Sequence, residues 1–413
     1  MKLPALLPAD RPGWILAGTT FASAVGFGSF AASSAIFFTR SVGLSAGEVG
    51  AGIATAGAVG LLGPVLVGRT ADRVGAREVF AVLSSLQAAL FAAYAVVHSF
   101  PLFLAVVCGL GFAERSAGAV RNAVIAGMTA GGDRVRLKAY LRSVFNLGVS
   151  LGAAGAAIPL HLDTREGYLA LVFFSSAAAA LTAGLAMALP HVAPPGRRLD
   201  AQRWIALRDM PYLTMALLCG LLATHHSLLV IALPIWVATH TDAPGSVVSG
   251  LFLLNTLLAV ALQVWASRYA ANVRGAASAA RWGAWVIAPA CALIAIAAFV
   301  PLAPAVAMLA SGVALLTLGE LLTSVASWAL SFELAAPQAP AQYQGTFALG
   351  MSVESIAGPL LATGVVIFLG AAGWLAAAAV FLLLGYVARG AAGWASTSRW
   401  RFTPVEQPLT NSV

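Results

Sequence analysis

Long apolar runs separated by short polar breaks extend over almost the whole chain. Runs of about 20 apolar residues have the length that a helix needs to cross a hydrocarbon core of roughly 30 Å. Windowed hydropathy divides the sequence into twelve such runs. The predicted spans are Gly13–Phe38, Gly47–Val67, Val79–Val97, Pro101–Met128, Leu137–Leu160, Tyr168–Leu189, Pro211–Ala238, Ser246–Ala266, Trp282–Val300, Pro304–Phe332, Gln344–Leu369 and Gly373–Ala388. The predicted fold class is therefore an all-α polytopic membrane protein with twelve transmembrane helices.

The composition agrees with a membrane protein and excludes a soluble globule. Of the 413 residues, 60% are hydrophobic and 9% are charged, whereas about a quarter of the residues of soluble domains are charged. The formal charge of +8 comes from few acids and from arginines in short loops, so we expect no nucleic-acid partner. Cys108, Cys219 and Cys291 each lie in an apolar run, which indicates packing rather than a disulfide or metal site. We expect no metal and no cofactor.

Basic residues lie in alternate loops, as Arg134, Arg136 and Lys138 do between the fourth and fifth predicted spans. Only Arg40 and Arg165 lie in the intervening loops. Because Lys and Arg of short loops stay cytoplasmic, both termini are predicted to be inside. We therefore expect a multi-pass protein of the cell membrane. The preference for Arg over Lys, together with abundant Ala and Gly, suggests a bacterial gene.

One polar linker, His191–Met210, divides the spans into two sets of six. Two residue pairs recur at the same offset in the two sets. Glu114 and Glu320, like Gly152 and Gly358, are 206 residues apart (320 − 114 and 358 − 152). This repeat indicates two pseudo-symmetric six-helix bundles. The predicted domains are an N-terminal bundle at 1–190, a cytoplasmic linker at 191–210 and a C-terminal bundle at 211–413.

The polar segment Gly68–Glu78 between the second and third spans carries the most specific motif. Its pattern is Gly-x-x-x-Asp-Arg-x-Gly-x-Arg, and the residues concerned are Gly68, Asp72, Arg73, Gly75 and Arg77. The pattern resembles the signature loop between the second and third helices of the major facilitator superfamily of transporters. That resemblance implies a conformational latch, in which Asp72 and Arg73 hold the two halves together and Gly75 permits a tight turn. The alternative is a basic loop that only sets topology.

Six ionisable residues stand out at membrane depth in the predicted spans, where each one needs a partner or a function. They are Glu114, Arg115, Arg121, Arg142, Glu320 and Glu354. Glu320 has no Lys or Arg within the spans of its own half, so we predict that it carries the coupling proton. The alternative is a permanently protonated Glu320 bonded to a neighbouring helix.

Glu354 and Glu114 are further proton-coupling candidates. Glu354 could instead be held by Ser352, Ser355 or water. Glu114 could form an ion pair across helices with Arg142. Arg115, Arg121 and Arg142 are predicted to form an intramembrane charge network.

The resemblance implies that spans one, four, seven and ten line a central substrate path. The polar and aromatic candidates on these and neighbouring spans are Phe27, Asn146, His225, His226, Trp236, Asn255 and Trp328. Consecutive helical residues point about 100° apart. The pair His225-His226 therefore does not indicate a zinc site.

These features predict a secondary active transporter that uses the proton gradient and alternating access. A mostly apolar cavity favours efflux of a small amphipathic or drug-like compound, and uptake of a small metabolite is the alternative. The fifth span keeps Gly148 and Gly152 of a motif found in drug exporters, but Ala replaces its Pro and later Gly residues. A membrane-embedded enzyme or a channel would need a catalytic motif or a filter, and the sequence has neither. The expected partners are a small-molecule substrate and membrane lipid, and the expected state is a monomer.

Overall fold

The computed structural model describes residues 10–129, 131–162, 164–191 and 204–398. Within these ranges the chain forms long helices, and we number them α1 to α12. The predicted linker lies mostly outside the described residues, and its end forms a short helix, Ile205–Arg208. The helices are α1 Arg11–Ile36, α2 Ala46–Val74, α3 Ala76–Ala93, α4 Phe100–Met128, α5 Gly132–Leu162, α6 Arg165–Met187, α7 Met210–His240, α8 Ser246–Ala266, α9 Val273–Ile296, α10 Leu302–Glu333, α11 Pro340–Ile367 and α12 Ala371–Ser398.

Eleven of these helices are long and apolar enough to cross a membrane by their length and composition. The remaining one, α5, has 31 residues and carries Asp133 in its first turn. With α5 counted, the long helices of the described residues number twelve, as the hydropathy pattern predicts. The predicted fold class is confirmed.

The segment between α2 and α3 differs from the predicted polar loop. Helix α2 continues to Val74, and α3 begins at Ala76, so only Gly75 separates them. Gly75 has a φ of 118°, which favours glycine because a side chain would be strained there. The motif residues before Gly75 therefore extend α2 beyond the predicted end of its span. This rigid extension brings Asp72 to the other half of the molecule.

Two helices of the C-terminal half are discontinuous at similar positions. In α7 the helix is broken after Leu222, and in α11 it is broken after Met351. Each break is followed by a wider π-helical stretch, Leu228–Ala232 in α7 and Leu360–Ile367 in α11. Such stretches often mark functional sites, because they release backbone groups from the regular helical pattern.

The prolines account for part of this irregularity. Pro234 is the second residue after the wide stretch of α7, and Pro359 directly precedes that of α11. Proline lacks the N–H that the helix would use. Pro64 and Pro289 lie inside α2 and α9, and both helices remain continuous.

The buried cores follow the two halves of the chain, α1–α6 and α7–α12. One core is almost entirely C-terminal, and two others are mainly or wholly N-terminal. The halves meet where α2 and α4 pack on α11 and where α5 packs on α8 and α10. These contacts lie at the end of the molecule that carries Arg69, Arg73, Arg134, Arg136 and Arg268, here called the arginine-rich end.

The opposite end of the molecule shows a different pattern. The π-helical segment Phe37–Ser41, which follows α1, packs mainly within the N-terminal half, and the last segments of α7 and α11 pack mainly within the C-terminal half. Among the described residues, the halves are therefore joined chiefly at the arginine-rich end.

Candidate functional site

Asp72 joins the two halves at the arginine-rich end. Its side chain is 2% exposed, and its carboxylate accepts hydrogen bonds from the backbone N–H of Ala341 at 2.8 Å and of Gln342 at 2.9 Å. Both donors belong to the first turn of α11, whose N–H groups have no partner within the helix. A carboxylate there also complements the positive end of the helix dipole. Asp72 therefore caps a helix of the opposite half.

Small residues allow α2 and α11 to approach closely around this bond. A Cβ atom on Gly68 would lie 2.5 Å from the carbonyl oxygen of Ala341, and one on Gly345 would lie 2.2 Å from that of Pro64. Both distances are shorter than any ordinary carbon–oxygen contact. The close packing of α2 against α11 therefore requires glycine at both positions.

The arginines of the motif have other positions. Arg77 donates to the Glu78 carboxylate at 2.7 Å and to the carbonyl oxygen of Leu189 at 3.2 Å. His191 lies 2.9 Å from the same carboxylate. Arg77 therefore ties α3 to the end of α6 within the N-terminal half. Arg73 is exposed at the end of α2.

A cavity of about 200 Å³ lies between α1, α4, α5 and α10, and we call it the basic cavity. It is lined by Thr20, Arg121, Lys138, Leu141, Arg142, Phe145 and Trp328. It brings together Arg121 and Arg142 of the predicted charge network with Trp328 of the predicted substrate path. Lys138, which the charge pattern assigns to a loop, lies one helical turn before Arg142 in α5 and lines the cavity too.

A second cavity of about 270 Å³ lies inside the N-terminal half, between α1, α3, α4, α5 and α6. Its walls include the predicted residues Phe27, Glu114 and Arg115. Arg121 and Phe145 line both this cavity and the basic cavity. The two spaces therefore adjoin, one lined by cations and the other partly by aromatic rings.

The predicted ion pair between Glu114 and Arg142 is wrong. Neither side chain takes part in a salt bridge within the described chain, and Arg142 instead lies over the ring of Phe145, 6.0 Å from its centroid. Arg115 reaches across the halves, where its Nη1 lies 3.5 Å from the Ser352 hydroxyl. That serine lies at the break of α11.

The carboxyl group of Glu320 is bonded to a neutral neighbour. The amide nitrogen of Asn255 donates to Glu320 at 3.3 Å and to the Thr317 hydroxyl at 2.9 Å. His225 is buried, and its Nδ1 lies 2.7 Å from the carbonyl oxygen of Leu222. Because a carbonyl only accepts, Nδ1 carries the hydrogen and Nε2 stays available.

The charges of Glu320 and Glu354 both act on His225. Glu354 begins the second segment of α11 and is partly buried, while His226 is exposed. His225, at the break in α7, thus lies near two carboxyl groups of the C-terminal half. Among the described residues, no group of three His, Cys, Asp or Glu is arranged to hold a metal ion.

The remaining predicted cavity residues have separate positions. Trp236 is 1% exposed in the C-terminal core, where its Nε1 donates to the carbonyl oxygen of Ile294 at 2.9 Å. Its ring stacks on His240, so the side chain packs the helix rather than lining either cavity. Asn146 is partly buried on α5.

Comparison with known proteins identifies a family and several solved structures that share this architecture. The family model described as Major Facilitator Superfamily matches residues 16–359. A curated relative from Mycolicibacterium smegmatis, an MFS-type efflux pump, is 41% identical over 88 residues. That match covers 18% of this chain and 20% of the relative, so it spans about a fifth of the relative's length.

Solved structures with the same fold cover nearly the whole chain. The human organic anion transporter MFSD10 is 17% identical with a TM-score of 0.66, over 92% of this chain and 100% of that one. The proton:xylose symporter XylE is 13% identical with a TM-score of 0.63, over 95% of this chain and 96% of that one. The third structure is a bacterial homologue of the iron transporter ferroportin in an outward-facing state. It is 11% identical with a TM-score of 0.69, over 94% of this chain and 100% of that one. At these identities the similarity shows the fold.

Proposed function

Since this chain belongs to the Major Facilitator Superfamily, we propose that it is a transporter that exports a small amphipathic compound in exchange for protons. The observation that carries the proposal is the capping of α11 by Asp72 across the two halves. This contact involves a few polar atoms between separate cores. It can therefore break without unfolding either half, as alternating access requires.

The membrane orientation follows from the charge pattern. Lys and Arg in short loops stay in the cytoplasm, which places the arginine-rich end inside the cell together with both termini. The halves are joined at that end. The structure then corresponds to a state that is closed toward the cytoplasm, and breaking the Asp72 contact leads to the inward-open state.

We assign proton coupling chiefly to the carboxyl groups of the C-terminal half. Glu320 is bonded to the amide of Asn255 rather than to a cation. It lies within electrostatic range of His225, on which Glu354 also acts. An ionisable group at membrane depth is costly and marks a functional site, so these carboxyl groups are the proposed carriers of the coupling proton. Glu320 is the principal carrier, and Glu354 and Glu114 are secondary ones.

The direction of transport is proposed from the relative that is an efflux pump. Uptake of a metabolite is the alternative, and the relation between proton and solute fluxes separates the two. In exchange, protons move opposite to the compound. In symport, they move with it.

The test uses purified protein in proteoliposomes that contain a pH-sensitive dye. Candidate amphipathic compounds are added, and proton and compound fluxes are recorded together. We expect compound movement to respond to an imposed pH gradient in the parent protein. Glu320→Gln should abolish that response, because an amide does not titrate. Glu333→Gln, at the end of the same helix, is the matched control and should retain it.

Two results would contradict the proposal. A pH response of Glu320→Gln equal to that of the parent would remove Glu320 from the coupling mechanism. Proton movement in the same direction as the compound would replace exchange by symport.

A further inference from the structure

We propose that the basic cavity binds the anionic group of the transported solute, a carboxylate, sulfonate or phosphate, so that the substrate is an amphipathic organic anion. This inference rests on the proposed function and narrows its substrate class. It is carried by the residues of the basic cavity and of the cavity beside it.

Three cationic side chains line the basic cavity, and its lining residues include no acid. Arg121, Lys138 and Arg142 take part in no salt bridge within the described chain. Cations at membrane depth are costly unless they are paired. Like charges at positions i and i+4 of a helix, such as Lys138 and Arg142, also repel each other. An anion bound between them removes both costs.

The cavity also offers hydrogen-bond donors that the protein leaves available. Lys138 donates to the side-chain oxygen of Asn122, and an ammonium group has three donors. Arg121 makes no hydrogen bond to another described residue, although a guanidinium group has five N–H donors. These donors match the oxygen atoms of a carboxylate, sulfonate or phosphate group.

Thr20 is an independent sign of a polar ligand. It is 1% exposed and lines the cavity, yet its hydroxyl has no hydrogen-bond partner. The preceding residue, Thr19, donates to the carbonyl oxygen of Leu16 at 2.8 Å, as buried helical threonines usually do. A buried hydroxyl without a partner is costly. A bound anion oxygen would accept its hydrogen.

The adjoining cavity suits the apolar part of such a solute. It is lined by several phenylalanine rings, including Phe27, Phe80 and Phe91. The two cavities have volumes of about 270 and 200 Å³, and ligand pockets typically measure about 300–1,000 Å³. Glu114 is the acidic residue of this second cavity, and Arg115 lines it too. An aromatic or branched anion of modest size fits both spaces.

The basic cavity lies at the seam between the halves. Its Trp328 belongs to α10 and packs against both the C-terminal core and an N-terminal core. An anion that contacts the cations of α4 and α5 therefore lies next to a ring of the other half. Binding of the anion is thus coupled to the relative position of the two halves.

Equilibrium binding to the full-length protein in detergent tests this inference without any transport. The probe is naphthalene-2-sulfonate, and the neutral naphthalene-2-sulfonamide is its isosteric control at constant ionic strength. The sulfonate should raise the melting temperature, since a ligand that binds only the folded state stabilises it. The sulfonamide should not.

Arg121→Gln and Lys138→Gln should each weaken sulfonate binding by about tenfold or more, as the loss of a partly buried charged partner does. Arg142→Gln should weaken it less, because Arg142 is more exposed. Arg136→Gln is the matched control, because Arg136 is on the same helix as Lys138 and pairs with Asp133 at 3.2 Å. Lys138→Arg keeps the charge and should keep binding. Retained binding in Lys138→Arg would show that Lys138→Gln acts by removing the charge and not by unfolding the protein.

Equal binding of sulfonate and sulfonamide would overturn the inference. It would also be overturned if Arg136→Gln weakened sulfonate binding as much as the substitutions in the basic cavity do. A phospholipid headgroup is the other source of such an anion. Displacement of the sulfonate by short-chain phosphatidylglycerol, but not by short-chain phosphatidylcholine, would assign the cavity to lipid and reject a solute site. Because binding needs no proton gradient, failure here leaves the flux experiment intact, and failure of coupled flux leaves anion binding measurable.

Discussion

At the level of single residues, Asp72 links the two halves of the molecule through one side chain. The N–H groups of the first turn of α11 need acceptors, and Pro340 provides no N–H there. The carboxylate of Asp72 satisfies two of these donors from the other half. Hydrogen bonds to charged groups contribute about 1.5–3 kcal/mol each. That energy is large enough to set the conformational balance and small enough to be overcome in each transport cycle.

Asp72→Asn should therefore shift the protein toward the state that is open at the arginine-rich end. An amide has no charge and offers one oxygen, so we expect a shift of roughly tenfold or more in the equilibrium. Spin labels at Val74 and Met210, which are 56% and 60% exposed on opposite halves, report the distance by pulsed electron resonance. The labels require Cys108→Ser, since Cys108 is partly accessible.

Asp133→Asn is the control for this measurement. Asp133 lies at the same end and pairs with Arg136 within one helix. It should leave the distance distribution unchanged. A distribution in Asp72→Asn that matches the parent would show that Asp72 does not hold the halves together.

At the level of elements, the close packing of α2 against α11 is possible because glycine has no Cβ atom. Gly68 and Gly345 lie where each helix meets backbone atoms of the other. Close backbone approach at small residues is a common way for membrane helices to associate. The breaks in α7 and α11 add a second feature, because they place His225 and Glu354 where the regular helix ends. In the C-terminal half, the first segment of α11 thus packs closely on α2, whereas α7 and α11 are irregular beyond their breaks.

Gly345→Ala should destabilise the closed seam, since its new Cβ would lie 2.2 Å from the Pro64 carbonyl oxygen. Overpacking of this kind costs about 1–3 kcal/mol. We expect a lower melting temperature and a larger open population at the arginine-rich end. Gly364→Ala, on the same helix with no atom within 4 Å, should behave like the parent. Equal melting temperatures for the two variants would contradict the close packing.

In the whole molecule, charge is divided between the two halves. The N-terminal half presents Arg121, Lys138 and Arg142 to a cavity, whereas the C-terminal half carries Glu320 and Glu354 near His225. The proposed solute site and the proposed proton site lie in different halves, so each can influence the other through the relative position of the halves. This separation gives a physical route for coupling without direct contact between proton and solute.

A disulfide across the arginine-rich end should block transport. A Cβ on Gly132 would lie 3.4 Å from the Cβ of Ala271 in the other half, close to the 3.5–4.5 Å typical of disulfides. Oxidised Gly132→Cys/Ala271→Cys protein should therefore lose flux, and reductant should restore it. Each single variant is a control and should stay active under oxidant. Full flux in the oxidised and cross-linked protein would show that this end need not open.

Several properties follow from the sequence alone because they depend on one helix or one loop at a time. The length of the apolar runs predicts twelve spans, since the thickness of the hydrocarbon core sets helix length. The pattern from Gly68 to Arg77 identifies the connection between the second and third helices, although α2 itself continues to Val74. Glu320 and Arg121 are recognisable as unusual because any charge within a span is costly.

Other properties depend on how the helices cross, which no local pattern contains. The partner of Asp72 lies 269 residues away in sequence, and only the seam between α2 and α11 brings it near. Lys138 belongs to a basic loop by the charge pattern, yet helix packing turns it toward Arg121 and Thr20. The expected pair of Glu114 and Arg142 fails for the same reason. Local residue types determine which groups are costly in a membrane, and the packing of helices decides which of them meet.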